Sequence, residues 1–183
     1  MDKNLQNENL CLKIVLYGPE CTGKTTLAKL LANHYKSEWV PEFAREYLQK
    51  KWDKFQKVCT KEDLPVIVSE QLKMENKKIS KAKKYLFCDT NILVTRIWSE
   101  THFNGYCDPE IIKLSEQLSY DYYLLTSIDV PWKKDDLRDR PYDREKMFSY
   151  FKDVLDNNNK PYSIIKGSIE ERLSNSIKII NNL

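Results

Sequence analysis

Cysteine and histidine are scarce in this sequence, and neither shows metal-binding spacing. The 183 residues include five cysteines, without a C-x-x-C pair, and two histidines, His34 and His102, that lie far apart in the chain. Disulfide scaffolds need paired cysteines, and structural zinc sites need closely spaced cysteines or histidines. The sequence therefore argues against both kinds of site. Unpaired cysteines also favour a reducing, cytoplasmic location.

Long apolar runs and a strong excess of charge are missing as well. No stretch is apolar over the length that a transmembrane helix needs, and residues 1–10 are polar, unlike the apolar core of a signal peptide. The formal net charge is only +3, which is too small to predict nucleic-acid binding. We therefore expect no membrane and no nucleic-acid partner. We expect residues 1–10 to form a disordered tail and residues 11–183 to form one domain.

Glycine is rare too, but two of the chain's four glycines lie in a single motif. The segment 18–25, Gly-Pro-Glu-Cys-Thr-Gly-Lys-Thr, matches the phosphate-binding loop G-x-x-x-x-G-K-[ST] without a gap. A strand pattern precedes this segment and an amphipathic helix pattern follows it, which is the context that the loop requires. We predict that the nucleotide is bound by Gly18, Glu20, Cys21, Thr22, Gly23, Lys24, Thr25 and Thr26.

The chemistry of phosphate binding explains these residue types. Glycines allow the backbone to curl so that its N–H groups converge on an anion, and the helix N-terminus adds partial positive charge. Lys24 can then reach the β- and γ-phosphates of ATP, while the Thr25 hydroxyl can ligate Mg²⁺. The alternative is a glycine turn that contains a lysine by chance. The flanking strand and helix patterns favour nucleotide binding.

Apolar runs alternate with helical patterns along the chain, which is typical of a parallel α/β sheet. We predict a P-loop NTPase fold of the nucleoside and nucleotide kinase type, a three-layer α/β/α domain with a parallel five-stranded sheet. The predicted strands are 12–17, 38–41, 85–88, 122–126 and 162–165. The predicted helices are 24–35, 43–51, 65–84, 91–101, 109–118, 143–157 and 168–180, the last with a capping box of Ser168 and Glu171.

Two acidic residues follow predicted strands, where ligands bind in open α/β sheets. Asp89 follows the third strand, as the Walker-B acid does, and is a candidate for Mg²⁺ or substrate binding; the alternative is an N-cap of the next helix. Glu42 follows the short second strand and could accept a proton from an attacking hydroxyl. If a helix begins at Phe43, Glu46 could face the site as well. The alternative is a surface i, i+4 charge pattern, and the residues alone leave both open.

A charged loop at 129–141 is the predicted lid of the site. Phosphoryl transfer spreads negative charge over the γ-phosphate, and arginines on a closing lid neutralise that charge. Arg138 is the candidate for this catalytic role, with Arg140 and Arg144 nearby. The alternative is a solvated loop in which aspartates balance the basic residues.

Four segments together resemble the NadR-type ribosylnicotinamide kinase domain. They are 18–25, Val-Pro-Glu-Phe-Ala-Arg-Glu-Tyr at 40–47, Phe-Cys-Asp-Thr-Asn at 87–91, and 131–139 with its Asp-Leu-Arg-Asp end. The resemblance implies a kinase that transfers the γ-phosphate of ATP to the 5′-hydroxyl of a nucleoside. It implies that Lys24 and Thr25 bind ATP and Mg²⁺, that Asp89 organises metal or ribose, and that Arg138 belongs to the lid. It also favours Glu42 as the hydroxyl-activating carboxylate.

The acceptor stays open at this point. Pro41 and Asn76 stand where the family pattern has aromatics that stack on nicotinamide. The remaining candidates for stacking are Trp39, Tyr47 and Trp98. A nucleoside monophosphate kinase is an alternative and would need acceptor-side arginines, for which Arg45 and Arg96 are available; a regulatory ATPase is another. Cys21, in a loop that favours anions, is expected to be an unusually accessible thiol.

Overall fold

The computed structural model describes residues 11–183, so the predicted tail at residues 1–10 lies outside the described residues. Its five strands are all parallel and lie in the order β2-β3-β1-β4-β5. The strands are β1 (Leu12–Tyr17), β2 (Glu38–Val40), β3 (Tyr85–Asp89), β4 (Tyr122–Thr126) and β5 (Tyr162–Ile165). The helices are α1 (Lys24–Tyr35), α2 (Phe43–Phe55), α3 (Asp63–Ile79), α4 (Ile92–His102), α5 (Pro109–Gln117), α6 (Arg144–Asn157) and α7 (Ile169–Ile180).

Strand alternation places apolar side chains on both faces of the sheet. In β1, Val15 and Tyr17 belong to one buried cluster and Ile14 and Leu16 to a second one. The first cluster also contains side chains of α3, α4, α5 and α6, and the second contains side chains of α1 and α7. Helices therefore cover both faces, and the predicted three-layer α/β/α architecture is confirmed.

The helix ends differ most from the predicted bounds at α2 and α3. The α2 helix continues past residue 51 to Phe55, and it ends where Gln56 adopts a left-handed φ of 54°. The α3 helix ends at Ile79 and does not reach residue 84, because the chain must turn to begin β3. The predicted capping box is present, since the Ser168 hydroxyl accepts from Glu171 N–H and the Glu171 carboxylate accepts from Ser168 N–H.

Within residues 11–183, none of the helices combines the length and the apolar composition that crossing a membrane requires. Because all five strands are parallel, their carboxyl ends meet at one edge of the sheet. The phosphate-binding loop and Glu42 follow strands at that edge, and Asp89 is the last residue of β3.

Candidate nucleotide and acceptor site

The backbone of the phosphate-binding loop depends on two glycines. Gly18 has a φ of +133°, and a Cβ there would lie 3.0 Å from both the carbonyl and hydroxyl oxygens of Thr126. Gly23 has a φ of +81° at the N-cap of α1. Both positions lie in the region that favours glycine, so the loop can curl tightly against the end of β4.

Residues outside the motif hold this loop in place through hydrogen bonds. The Thr22 hydroxyl lies 2.7 Å from that of Thr126, and the Thr22 carbonyl accepts a 2.7 Å hydrogen bond from the buried Arg172 guanidinium. Arg172 also donates to the carbonyls of Gly167 at 2.9 Å and Ser127 at 3.1 Å, and it pairs with Asp129. Arg172 was not predicted from the sequence. It lies on the same buried face of α7 as Ser176 and Ile180, and a charged residue on a buried face is the signal that could have identified it.

Lys24 lies across the loop that carries it. Its Nζ donates to the carbonyls of Gly18 at 2.9 Å and Pro19 at 2.5 Å. Burial lowers the pKa of Lys24, while the carboxylates of Glu42, Asp89 and Glu20 act against that shift. The ammonium group is therefore held at the mouth of the loop, at the place where a phosphate group would offer it a stronger acceptor.

Thr25 and Asp89 form a donor set that fits Mg²⁺. The Thr25 hydroxyl donates to Asp89 Oδ2 at 2.5 Å, while Asp89 Oδ1 is buried without a hydrogen-bond partner. Burial raises the pKa of Asp89 and the Thr25 hydrogen bond lowers it. Mg²⁺ prefers oxygen ligands and is usually held by one or two protein groups plus phosphate oxygens and water. Accordingly, residues 11–183 contain no cluster of three or more metal-binding side chains, and this pair does not need one.

The alternative role of Asp89 as a helix cap is wrong. Asn91 occupies the N-cap of α4, and its side-chain oxygen accepts from Val94 N–H at 3.4 Å. Asp89 is therefore not used as a cap, because the chain supplies Asn91 for that role.

Glu42 lies at the N-cap position of α2 but makes no capping hydrogen bond. It lines the same cavity as Lys24 and Arg138. Desolvation and the neighbouring Asp89 raise the pKa of Glu42 to about 7, against the opposing charges of Lys24, Arg45 and Arg138. For Glu46 the sequence left an inward position and a surface i, i+4 pattern open, and the structure shows the surface pattern. The Glu46 side chain is 70% exposed and pairs with Lys50 on the surface.

Glu20 adds a third carboxyl group around Lys24. Burial and the charge of Asp139 raise the pKa of Glu20 to about 7, and its Oε2 is buried without a hydrogen-bond partner. Glu20, Glu42 and Asp89 all act on the charge of the same lysine. Three carboxyl groups therefore act on Lys24, and a divalent cation would offset their negative charge.

The lid, residues 127–143, is anchored on both sides of the cavity. Gln49 of α2 donates to Asp136 at 3.0 Å, and Arg45 of α2 pairs with Asp135. On the other side, Arg140 donates to the Thr101 carbonyl at 2.6 Å. The segment therefore makes tertiary contacts, and within it Asp135 lies 3.2 Å from Arg138, as the alternative of aspartates balancing basic residues expects.

The candidate arginines fall into different places. Arg138 lines the cavity, donates to the Lys133 carbonyl at 2.7 Å, and lies 3.2 Å from Asp135. Arg144 also lines it and donates to the Cys21 carbonyl at 3.3 Å. Arg96 is wrong as an acceptor-side candidate, because it lies outside this cavity and pairs with Glu100 and Glu116.

The cavity has a volume of about 540 Å³ and one apolar side. That side is lined by Leu48, Val58, Cys59, Leu64, Ile67, Val94, Trp98 and Phe103. Of the three candidate aromatics, Trp98 lines the cavity, whereas Trp39 and Tyr47 do not. The Trp98 ring stacks on His102 with centroids 3.9 Å apart, which leaves its other face as the candidate for a planar ligand.

Cys21 lies between the loop and the lid. Its Sγ donates to the Pro131 carbonyl at 3.5 Å and accepts from Lys133 N–H at 3.2 Å. It is half-buried, as Cys11 and Cys59 are. The structure therefore does not set Cys21 apart as the most exposed thiol.

Comparisons with known proteins agree with this arrangement. A family model described as an AAA domain matches residues 13–172. The trifunctional NAD biosynthesis/regulator protein NadR of Escherichia coli (strain K12) is 24% identical over 148 residues, covering 80% of this chain and 36% of the relative. The NadR protein of Salmonella typhimurium is 23% identical over 155 residues, covering 84% of this chain and 38% of the relative. The chain thus spans well under half the length of these curated relatives.

Solved structures show the same fold. A NadR protein in complex with NR has a TM-score of 0.74 at 19% identity, covering 94% of this chain and 51% of that chain. A deoxyadenosine kinase from M. mycoides has a TM-score of 0.67 at 14% identity, covering 94% and 100%. A thymidylate kinase from Ehrlichia chaffeensis has a TM-score of 0.64 at 18% identity, covering 93% and 98%. The predicted P-loop fold and the resemblance to the NadR kinase domain are confirmed.

Proposed function

The chain belongs to the AAA domain family, and on that premise we propose that it is a kinase that uses ATP to phosphorylate a hydroxyl group of a nucleoside-like substrate. One observation carries the proposal. Lys24, Thr25, Glu42 and Arg138 line a single cavity. Asp89, the last residue of β3, accepts a hydrogen bond from Thr25, and its charge acts on Lys24 together with that of Glu42. A phosphate-binding loop, a metal-binding acid, a proton acceptor and a lid arginine are the parts that phosphoryl transfer to a hydroxyl uses.

On the donor side, the loop amides and Lys24 would hold the phosphates of ATP. Thr25 and Asp89 would hold Mg²⁺, which supplies positive charge next to the transferring phosphoryl group. Thr25 already donates to Asp89 at 2.5 Å, and the buried Asp89 Oδ1 has no partner in the protein. The proposed location is the cytoplasm, because all five cysteines are free, as they are in proteins of a reducing compartment.

On the acceptor side, Glu42 would take the proton from the attacking hydroxyl. Its pKa of about 7 lies close to neutral pH, where a carboxylate is partly ionised and basic enough to accept a proton. Arg138 of the lid would neutralise charge on the phosphoryl group in the transition state. Trp98 and the apolar side of the cavity would take a planar, uncharged base.

Ribosylnicotinamide is the finer candidate for the acceptor, since the chain is similar to NadR and one NadR structure is described in complex with NR. Pro41 and Asn76, which differ from the family pattern, do not line the cavity. Among the aromatics named as candidates, stacking would therefore fall to Trp98. A nucleoside monophosphate is the second candidate, because Arg45 on the acceptor side lines the cavity.

Release of ADP tests the proposal directly. The purified protein is incubated with ATP and Mg²⁺, and with adenosine, cytidine, guanosine, uridine, thymidine or nicotinamide riboside, or with the matching 5′-monophosphates. We expect ADP release that depends on a nucleoside and yields its 5′-monophosphate. ADP release without any acceptor would favour a regulatory ATPase, and activity with monophosphates alone would favour the second candidate.

A further inference from the structure

Arg45 is a cationic side chain on the proposed acceptor side of the cavity. It follows Glu42 by one turn of chain at the start of α2 and lines the cavity. Its charge acts on Glu42, as that of Arg138 does. An acceptor that already carried a 5′-phosphate would bring negative charge towards Glu42 and Asp89, so it would need arginine donors here to offset the repulsion.

Asp135 of the lid already holds both of these arginines. Its carboxylate contacts Arg45, and it lies 3.2 Å from Nε of Arg138. The carboxylate cannot turn away easily, because its Oδ1 accepts from the backbone N–H groups of Leu137 at 3.0 Å and Arg138 at 3.1 Å. The lid therefore places a fixed negative group against the donors that an acceptor phosphate would use.

The other cavity-lining arginines of the described chain are directed elsewhere. Arg140 donates to the Thr101 carbonyl at 2.6 Å, and Arg144 donates to the Cys21 carbonyl at 3.3 Å beside the phosphate-binding loop. Neither contacts Glu42 or α2. Arg45, and with it the shared Arg138, thus decides whether the acceptor side can bind a phosphate.

We propose that Asp135 is a specificity-determining residue: by occupying Arg45 and Arg138 it keeps the acceptor side selective for a neutral hydroxyl compound and against its 5′-monophosphate. The proposal rests on the proposed function, since it concerns the acceptor of the same reaction. It adds a lid residue, remote in sequence from Arg45, to the set that chooses the substrate.

Asp135→Asn and its neighbour Asp136→Asn form a matched pair for the test. Each removes one negative charge from adjacent lid positions, but Asp136 contacts Gln49 rather than an arginine. The dissociation constants of the nucleosides in the screen and of their 5′-monophosphates are measured by calorimetry with a non-hydrolysable ATP analogue and Mg²⁺ present. We expect Asp135→Asn to tighten monophosphate binding about tenfold relative to the nucleoside, since a charge-assisted contact is regained. Asp136→Asn should leave the ratio unchanged.

Three outcomes overturn the proposal: an unchanged ratio in Asp135→Asn, an equal change in both variants, or a gain that remains undiminished in the double variant Arg45→Met/Asp135→Asn. Because the experiment measures binding, the role of Asp135 is tested independently of turnover. Failure of the wild type to phosphorylate any nucleoside would contradict the proposed function. Tight monophosphate binding by the wild type would instead contradict the role of Asp135. Should Asp135→Asn fail to fold, Asp135→Ser can still accept from the N–H of Leu137 and repeats the comparison.

Discussion

The donor and acceptor sides of the cavity are built in different ways. The donor side is almost one continuous segment, residues 18–26, completed by Asp89 of β3. The acceptor side combines residues of α2, α3, α4 and the lid, and its contact between Arg45 and Asp135 joins positions 90 residues apart. A contiguous loop can be recognised from local sequence, whereas a surface assembled from remote segments depends on the whole fold.

The two sides also differ in how their charges are satisfied. On the donor side, Glu20 Oε2 and Asp89 Oδ1 are buried without a hydrogen-bond partner. On the acceptor side, Asp135 satisfies Arg45 and Arg138 within the protein. Buried polar groups without partners are costly and are completed by ligands where function requires it. Under the proposed function, this difference suits charged ligands on the donor side and a neutral ligand on the acceptor side.

Lys24→Ala should have the largest effect and would break the donor side alone. Removing the ammonium group takes away charge that the loop holds against the transferring phosphate, so turnover should fall about 10³-fold. The helix that follows should be unaffected, because Lys24 bonds only to carbonyls of its own loop. Initial rates of ADP release and the far-ultraviolet circular dichroism spectrum measure the two effects.

Lys29→Ala is the matched control for this comparison. Lys29 is an exposed lysine one turn further along α1 and does not line the cavity. It should keep nearly full turnover. Equal losses in the two variants would contradict a specific role for Lys24 and leave only the general charge of the segment.

Glu42→Gln should have the next largest effect, because it removes the proposed base and keeps the shape of the side chain. General base catalysis contributes about 10²–10⁴-fold, so we expect a loss of about 10²-fold in kcat with little change in nucleoside binding. In wild type, turnover should rise as pH increases through about 7, since burial and Asp89 raise the pKa of Glu42 and only the ionised form accepts a proton. The variant should lack this rise.

Glu20→Gln separates the two groups that titrate near neutrality, since the pKa of Glu20 is also raised to about 7. If the rise with pH disappears in Glu20→Gln and persists in Glu42→Gln, the base is misassigned.

The stability of Glu42→Gln provides a second check. A raised pKa in the folded state means that ionising Glu42 opposes folding, so Glu42→Gln should raise Tm more at pH 8 than at pH 4.5.

The donor side and the acceptor side also differ in how far they can be predicted from the sequence. Local signals predicted β1, α1 and the phosphate loop with their observed bounds, because glycine spacing, strand alternation and helical periodicity are properties of neighbouring residues. They also placed Asp89 and Glu42 at strand ends, since parallel strands share one edge. The carboxyl groups of the donor side were therefore predictable without knowledge of the tertiary contacts.

Tertiary contacts account for what was missed. Arg172 fastens the phosphate loop from α7, and the bond to Thr22 joins positions 150 residues apart. Arg96 was a candidate only for the alternative of a nucleoside monophosphate kinase, and its side chain pairs with Glu100 one helical turn away and with Glu116 on α5. No spacing within one segment reports which of several arginines turns towards a cavity.

Arg138→Ala tests the lid, where donor and acceptor sides meet. Arg138 is 25% exposed and shares Asp135 with Arg45, so its loss should cost less than loss of Lys24. We expect kcat to fall about 30-fold, which corresponds to about 2 kcal/mol in transition-state free energy, with a smaller change in the Kd for ATP. Lys134→Ala, at an exposed lid position outside the cavity lining, is the control. An unchanged kcat in Arg138→Ala would return Arg138 to a structural role in the lid.

Arg172→Ala tests whether the phosphate-binding loop depends on the hydrogen bond that Arg172 donates to it. The change leaves the carbonyl groups of Thr22, Ser127 and Gly167 without this donor. Unsatisfied buried groups cost about 1–3 kcal/mol, which corresponds to a fall in Tm of several degrees. Lys178→Ala, an exposed change on the same helix, should leave Tm nearly unchanged. If Arg172→Ala matched that control, the loop would hold its shape without α7.

Alkylation of Cys21 should show the smallest effect, and it reports directly on contact between the loop and the lid. The thiol bonds to the Pro131 carbonyl at 3.5 Å and accepts from Lys133 N–H at 3.2 Å, so it lies where lid and loop meet. ATP and Mg²⁺ would add phosphate groups beside it and hold Lys133 and its neighbours in place. We therefore expect iodoacetamide to modify Cys21 a few-fold more slowly with ATP and Mg²⁺ than without them.

Cys11 is the internal reference for this measurement. It precedes β1 at the opposite edge of the sheet and is half-buried, as Cys21 is. Burial raises the pKa of the Cys11 thiol, so its modification is slow, but nothing at that edge changes when the phosphate loop is filled. Peptide mass spectrometry gives both rates from the same sample. Equal slowing at both cysteines would mean that ATP tightens the whole protein, and equal rates at Cys21 with and without ATP would mean that the nucleotide does not reach the loop beneath the lid.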